Sequence, residues 1–309
     1  MSHGKTSRVL CLFGPTGVGK TALLSGFFPR GFEIVSADSM QVYTGMDIGT
    51  AKPACDILNQ IPHHLISIRH PGEQFTVGDF VRLAKKRISE IEHRGNIPVV
   101  SGGTAFYFKH LLYGLPDAPP SKDSVRKELE RLCDREGIPI LLEKLARIDP
   151  VSAERIHSSD RYRIIRALEV YQLSGRPLSS FKRTSSHGLA STSDICLIGL
   201  FRDREELKER IKQRVDSMFS EGLVDEVRTL ISQGAKQDWP GMKGIGYREF
   251  FSARESGELS YRDVRRMIQK NSIKYAKRQM TFFSSLPEVN WLHPGDTRKL
   301  VSQCRAFFD

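Results

Sequence analysis

The chain has 309 residues, 39% of them hydrophobic and 27% charged, which suits a packed globule with room for an insert and excludes a disordered chain. Lys and Arg outnumber Asp and Glu by 47 to 36, a formal net charge of +11 that suits a polyanion such as nucleic acid or an anionic membrane surface. No apolar run approaches the ~20 residues that cross a bilayer, and the basic start runs into a glycine loop rather than a cleavage site. The expectation is a cytoplasmic protein with no membrane contact.

Residues 8–13 (RVLCLF) form a short apolar run, read as a buried parallel strand. A glycine loop and the helix-like TALLSGFF follow, and then a second strand at 32–36 (FEIVS). Residues 79–94 place Phe80, Leu83, Ile88 and Ile91 at helical spacing, stopped by Gly95. A third strand at 97–100 leads into Ser101-Gly102-Gly103-Thr104 and another apolar helix. Strands alternating with helices imply an α/β fold, a P-loop NTPase-like parallel sheet flanked by helices. The pattern changes at Pro116, Pro119 and Pro120. From 121 to about 173 only helical periods appear, and a polar stretch spans 179–194. An all-helical insert over 117–193 is therefore expected, carried by a core made of 1–116 and 194–309.

A strand returns at ICLIGLF. Asp203 and Glu206 then make a capping-box-like helix start, and Gly222 and Gly234 bracket a further helix. Residues 261–278 form a basic helix with Arg266, Lys270, Lys274 and Lys277 on one face and Val264, Ile268 and Tyr275 on another. The five cysteines are scattered, without C-x-x-C or zinc spacing, and read as reduced thiols; Cys11 and Cys196 lie in apolar runs as packing residues. His63 and His64 lack a third ligand at suitable spacing and take structural roles, and Trp239, Trp291, Phe282 and Phe283 read as packing.

Gly14-Pro15-Thr16-Gly17-Val18-Gly19-Lys20-Thr21 fits G-x-x-x-x-G-K-[ST] between a strand and a helix. Glycines let successive amides turn inward onto phosphate oxygens, and the following helix adds its positive end. Lys20 supplies charge, and Thr21 offers a hydroxyl to Mg2+. The loop indicates a polyphosphate or pyrophosphate without specifying ATP: the strand IPVV ends in Ser101-Gly102-Gly103-Thr104 rather than a magnesium-holding Asp. The strand that does end in Asp is FEIVSAD. Ligands of such sheets sit at strand carboxyl ends, so Asp38 should face the loop, either holding magnesium or accepting a proton from an amine.

Several long motifs in order resemble the tRNA dimethylallyltransferases, bacterial type. They are 14–21, 37–43 (ADSMQVY), 45–53 (GMDIGTAKP), 63–65 (HHL), Gly102-Gly103-Thr104, 161–169 (RYRIIRALE), 214–227 (RVDSMFSEGLVDEV), 244–249 (GIGYRE), and Thr281 with the basic run before it. One departure is Thr44, where the family often carries a basic residue. The chain also lacks, at its end, the zinc-finger tail of many eukaryotic relatives. The resemblance implies transfer of a dimethylallyl group from dimethylallyl pyrophosphate to the exocyclic amine of the adenosine 3′-adjacent to the anticodon, in tRNAs reading codons that start with U.

In that reading loop amides, Lys20, Thr21, Mg2+ and Arg214 stabilise the departing pyrophosphate. Asp38 orients the amine and takes a proton. Thr16 lies near the donor and Thr104 near the acceptor, with Ser39, Met40 and Gln41 at the acceptor entrance. The resemblance places further tRNA contacts on the insert, at Arg126 and at Tyr162, Arg163, Ile164, Ile165 and Arg166. The base must leave its stack to reach a buried cleft, which is easiest in a single-stranded loop. The basic face of 261–278 would grip phosphates. The implied partners are the tRNA anticodon stem-loop and the prenyl donor, with no protein partner required. Rival readings are a small-molecule kinase with the same loop, an isoprenyltransferase acting on free AMP, and an RNA-binding nucleotide switch. The insert and the charge favour a large RNA substrate.

Overall fold

A computed structural model describes residues 7–27, 31–181, 188–256 and 260–308. The expected helix end at Phe28, residues 1–6 of the basic start and 182–187 of the polar stretch lie outside them. The chain divides into two compact units, Met1–Leu112 with Thr192–Asp309, and Tyr113–Ser191.

The first unit opens with β1 (Ser7–Phe13), α1 (Lys20–Phe27), β2 (Phe32–Ser36), α2 (Cys55–Gln60) and β3 (His63–His64). Then come α3 (Val77–His93), β4 (Ile97–Gly102) and α4 (Ala105–Tyr113). The second unit holds α5 (Asp123–Glu136), α6 (Ile138–Ile148), α7 (Pro150–Arg155) and α8 (Arg161–Ser174). The chain returns to the first unit with β5 (Ser193–Leu200), α9 (Arg204–Ser220), α10 (Leu223–Ser232) and α11 (Arg248–Ser256). It ends with α12 (Tyr261–Phe283), β6 (Asn290–Leu292) and α13 (Thr297–Phe308).

The six strands form one sheet in the order β3-β2-β4-β1-β5-β6. Every pairing is parallel, as the unbroken apolar runs require. β1 is central and fully buried from Val9 to Phe13. Phe13 stacks on Phe283 at 4.6 Å between ring centres, meets Trp291 edgewise and Phe108 at a tilt, so these aromatics pack the core. Cys11 and Cys196 are buried in neighbouring strands, and burial pushes both thiols up. β3 and β6 were not foreseen: with two and three residues they carry no period to read.

Helix starts follow local chemistry. Thr76 and Asp79 close a reciprocal capping box ahead of α3, three residues before the helix expected at 79. Asp203 caps α9 by accepting from the amides of Glu205 and Glu206, but the expected box does not close, because Glu206 turns to Arg202 and His293. Ser260 and Asp263 form a box at α12, which runs five residues past the expected 278.

At the sheet edge Glu33 is buried beneath four donors: Arg94 twice (3.0 and 2.7 Å), Asn96 (2.8 Å) and His64 (2.6 Å). These bonds, the Arg94 one foremost, overcome the burial penalty and hold the Glu33 carboxyl down at about 2. His63 binds the carbonyl of Ile61 at 2.7 Å, so both histidines are structural.

The second unit packs its own core from Leu129, Cys133, Leu141, Leu145, Ile156, Ile164 and Leu168. Asp149 is buried at the start of α7, accepting from the amides of Ser152 (3.0 Å) and Ser179 (2.9 Å). Glu169, also buried, accepts from Ser121, Lys122 and Arg166, which pins the proline-rich segment to α8.

Candidate functional site

The turn between β1 and α1 curls because Gly17 and Gly19 take φ of 80° and 111°, the left-handed region open to glycine. Its carbonyls are held from outside. Arg202 donates to the Val18 carbonyl at 2.8 Å and Arg210 to that of Gly17 at 3.0 Å. From inside, Lys20 Nζ donates to the carbonyls of Gly14 (2.8 Å) and Pro15 (3.0 Å). Val18 is buried, whereas Thr16, Gly17, Gly19, Lys20 and Thr21 face a cavity of about 470 Å3.

Asp38 lines the same cavity, just past the carboxyl end of β2. One oxygen, Oδ1, accepts from the amides of Met40 (2.8 Å) and Gln41 (3.3 Å), an Asx turn that fixes the carboxylate. Ser39, Met40 and Gln41 line that cavity as well. Thr104 sits behind them, its hydroxyl accepting from the Ser39 amide at 3.0 Å. The glycines before it permit this closeness: a Cβ on Gly102 would lie 2.2 Å from the Ala37 carbonyl oxygen.

Arg214 enters from α9, whose Ile211, Val215 and Met218 are buried. Among the described residues no carboxylate pairs with it and no hydrogen bond reaches its guanidinium. Burial pulls the Arg214 group down, partly offset by the Asp38 charge. The Lys20 amine is lowered to about 7, by burial first and by Arg214 second, with Asp38 opposing. Two desolvated cations against one carboxylate leave a net positive cavity, the electrostatics of an anion site.

Two features were missed in the sequence. Gln279 on α12 is buried, accepts from the Thr16 amide at 2.9 Å and donates to the Gly103 carbonyl at 2.7 Å. It stitches the glycine turn to the end of β4. Ile268, Ser272, Tyr275 and Gln279 form the cavity-facing stripe of α12. The polar members of that i, i+4, i+7, i+11 spacing are the available signal, and the sequence placed Tyr275 only on a face away from the basic residues. The basic face of α12 (Arg266, Lys270, Lys274, Lys277) is exposed. The second is Glu226 on α10, whose carboxylate accepts from the amides of Asp47, Ile48 and Gly49.

On the second unit Tyr162 is 64% exposed with the Arg126 guanidinium 4.6 Å over its ring, and Arg163 is exposed. Ile164 and Ile165 have their side chains buried in that unit's core, so a contact with tRNA there would fall to the backbone. Arg166 is largely occupied by Glu169 (2.8 Å) and the Pro119 carbonyl (2.5 Å).

Residues 41–286 match the family described as IPP transferase. A protein of Geobacter metallireducens named tRNA dimethylallyltransferase is 43% identical over 311 residues, covering 100% of both chains. The chain belongs to the IPP transferase family. The crystal structure of a tRNA isopentenylpyrophosphate transferase from Bacillus halodurans is 34% identical, with a TM-score of 0.70 over 97% of this chain and 96% of that one. A eukaryotic dimethylallyltransferase structure, at 24% identity and TM-score 0.77, covers 97% of this chain and 78% of its own and shares the fold. No helix among the described residues is long and apolar enough to cross a membrane.

Proposed function

We propose that this IPP transferase moves a dimethylallyl group from dimethylallyl pyrophosphate to the exocyclic amine of the tRNA adenosine 3′ of the anticodon. The observation that carries the reading is one cavity lined both by the glycine turn, through Thr16, Gly17, Gly19, Lys20 and Thr21, and by Asp38, within a net positive field. The names of its relatives support tRNA as the acceptor.

In the reaction the bond between the allylic carbon and the diphosphate oxygen breaks, and a bond from that carbon to the purine nitrogen forms. The nitrogen's proton passes to Asp38, whose Oδ2 remains beyond the Asx turn to receive it. The diphosphate leaves with its electron pair and accumulates charge, which Lys20, Arg214 and the amides of Gly17, Gly19, Lys20 and Thr21 neutralise. An anion there also favours the protonated form of Lys20. Thr16 and Gln279 hold the turn against β4, and Thr104 holds Ser39 at the acceptor wall.

Mg2+ fits the donor set. The Thr21 hydroxyl lines the cavity, and magnesium takes one or two such oxygens together with ligand phosphates and water. Among the described residues no group of three His, Cys, Asp or Glu side chains stands ready to hold a metal unaided. When bound, the ion neutralises charge on the departing diphosphate.

We assign to the second unit the grip on the tRNA anticodon arm. Tyr162 with Arg126 offers a flat cationic platform for a base, and Arg163 a phosphate contact. The test is one incubation of folded protein with labelled donor, magnesium and unmodified tRNA, followed by nucleoside analysis. Isopentenyladenosine with release of diphosphate, and no ATP consumed, is expected; transfer to AMP but not tRNA, or no transfer, would overturn the reading.

A further inference from the structure

One wall of the cavity is built by the loop that precedes α2, through Gly49, Thr50 and Ala51. Three consecutive amides of this loop converge on a single carboxylate. Glu226 Oε2 accepts from Asp47 N at 2.8 Å and Ile48 N at 2.7 Å, and Oε1 accepts from Gly49 N at 3.1 Å. The hydroxyl of Tyr247 donates to Oε1 at 2.7 Å, giving four donors for one side chain. Tyr247 is fully buried against the loop, and a Cβ on Gly49 would fall 2.5 Å from its ring. Glycine is therefore required there by close approach.

The same loop carries strain. Ala51 has φ of 47°, a left-handed backbone that a side-chain-bearing residue holds only when its surroundings over-determine it. On one side the restraint is the Glu226 latch. On the other it is Gln41, whose Nε2 donates to the carbonyls of Ala51 (3.1 Å) and Thr50 (3.4 Å). Gln41 Oε1 accepts from Ser36 Oγ at 3.3 Å and retains a second lone pair. The carbonyls that Glu226 sets thus dictate which end of the Gln41 amide is its acceptor, beside Asp38 on the cavity wall.

We propose that Glu226 is a positioning residue for the acceptor side of the reaction. It does not line the cavity; it acts through the loop and Gln41, keeping the Gln41 amide turned for the purine edge. The inference rests on the acceptor role proposed above for residues 39–41. It predicts that loss of the latch weakens tRNA and leaves the donor side intact, since Gly14–Thr21 and Arg214 share no hydrogen bond with Glu226 among the described residues.

The test uses Glu226→Gln in the full chain, whose amide must turn hydrogens toward at least one of the loop amides. Two readouts are taken beside wild type. Hydrogen exchange in the free protein should show the amides of 47–49 protected in wild type and at least tenfold faster in the variant, with β1 and β4 unchanged. Steady-state kinetics with an anticodon stem-loop should show its KM raised about tenfold and the donor KM within twofold of wild type. Freely exchanging wild-type amides, an unchanged stem-loop KM, or equal rises in both KM values would each overturn the proposal. If Glu226→Gln does not fold, Glu226→Asp, too short to span three amides, is read by the same criteria. Wild-type protein without transfer to tRNA would instead remove the functional reading, while the exchange data would still judge the latch.

Discussion

Replacing Gln279 with Leu removes one side-chain amide of nearly unchanged size and leaves two backbone groups without partners. The Thr16 N–H loses its acceptor at 2.9 Å and the Gly103 carbonyl its donor at 2.7 Å. Which end of the amide faces which group is forced, because one partner can only donate and the other only accept. Both contacts are sheltered, Gln279 being 4% exposed, so each unmet group costs about 1–3 kcal/mol. A total near 3 kcal/mol lowers the melting temperature of a unit of this size by roughly 10 °C. The glycine turn also loses its tether to β4, so the donor KM should rise while the stem-loop KM changes less. Gln279→Glu sharpens the test. It keeps an acceptor for Thr16 but sets a carboxylate near the anion, a further penalty of roughly 2 kcal/mol at about 8 Å and an effective dielectric of about 20. Thermal denaturation and donor-dependent kinetics on the two variants decide the matter. A Gln279→Leu protein melting within about 2 °C of wild type, with an unchanged donor KM, would refute the reasoning.

Three further outcomes are expected. Asp38→Ala should lower kcat by about 10²–10⁴-fold, the range of a lost general base, with donor binding near wild type; a fully active variant removes Asp38 from the chemistry. Lys20 is charged in the free site only below about pH 7, and a bound diphosphate restores its proton, so donor-analogue affinity should fall up to tenfold per pH unit above 7. Lys20→Arg keeps its charge and should lose that dependence; parallel pH profiles would contradict the assignment. Glu33 has its carboxyl lowered from 4.5 to about 2 in the fold, so its contribution is complete above 4.5 and is lost as pH falls toward 2. The loss is on the order of 2–3 kcal/mol after allowing for the half-exposed Arg94. Acid titration of stability in wild type against Glu33→Gln measures it, and equal slopes would count against the network.

What was legible in the chain was whatever a short stretch of backbone can encode. Glycines at 17 and 19 and a lysine at 20, between an apolar run and a helix, specify an anion cradle because φ, amide direction and helix polarity are local properties. The strands at 8–13, 32–36 and 97–100 and the helical periods of 121–173 were readable for the same reason, whereas β3 and β6 were too short to show a pattern. The long motifs also pointed to the family before any fold was known. Arg214, Glu226 and Gln279 are another matter. Each lies on a helix where one turn offers several polar residues of equal standing, and spacing says nothing of what stands opposite. The groups whose charge or hydrogen bonds they meet, Asp38, Asp47–Gly49 and Thr16, are over 170 residues away in sequence. They meet because strand order in the sheet, β2-β4-β1-β5, brings the carboxyl ends of β1 and β2 to one side, where α9 and α12 line the cavity and α10 packs on α9. Burial of Ile164 and Ile165 was hidden likewise, since an Ile pair set among Arg161, Arg163 and Arg166 on a helix shows its inward face only once a neighbouring helix covers it. Long-range packing therefore chose, among chemically similar side chains, those that lost water and gained a function.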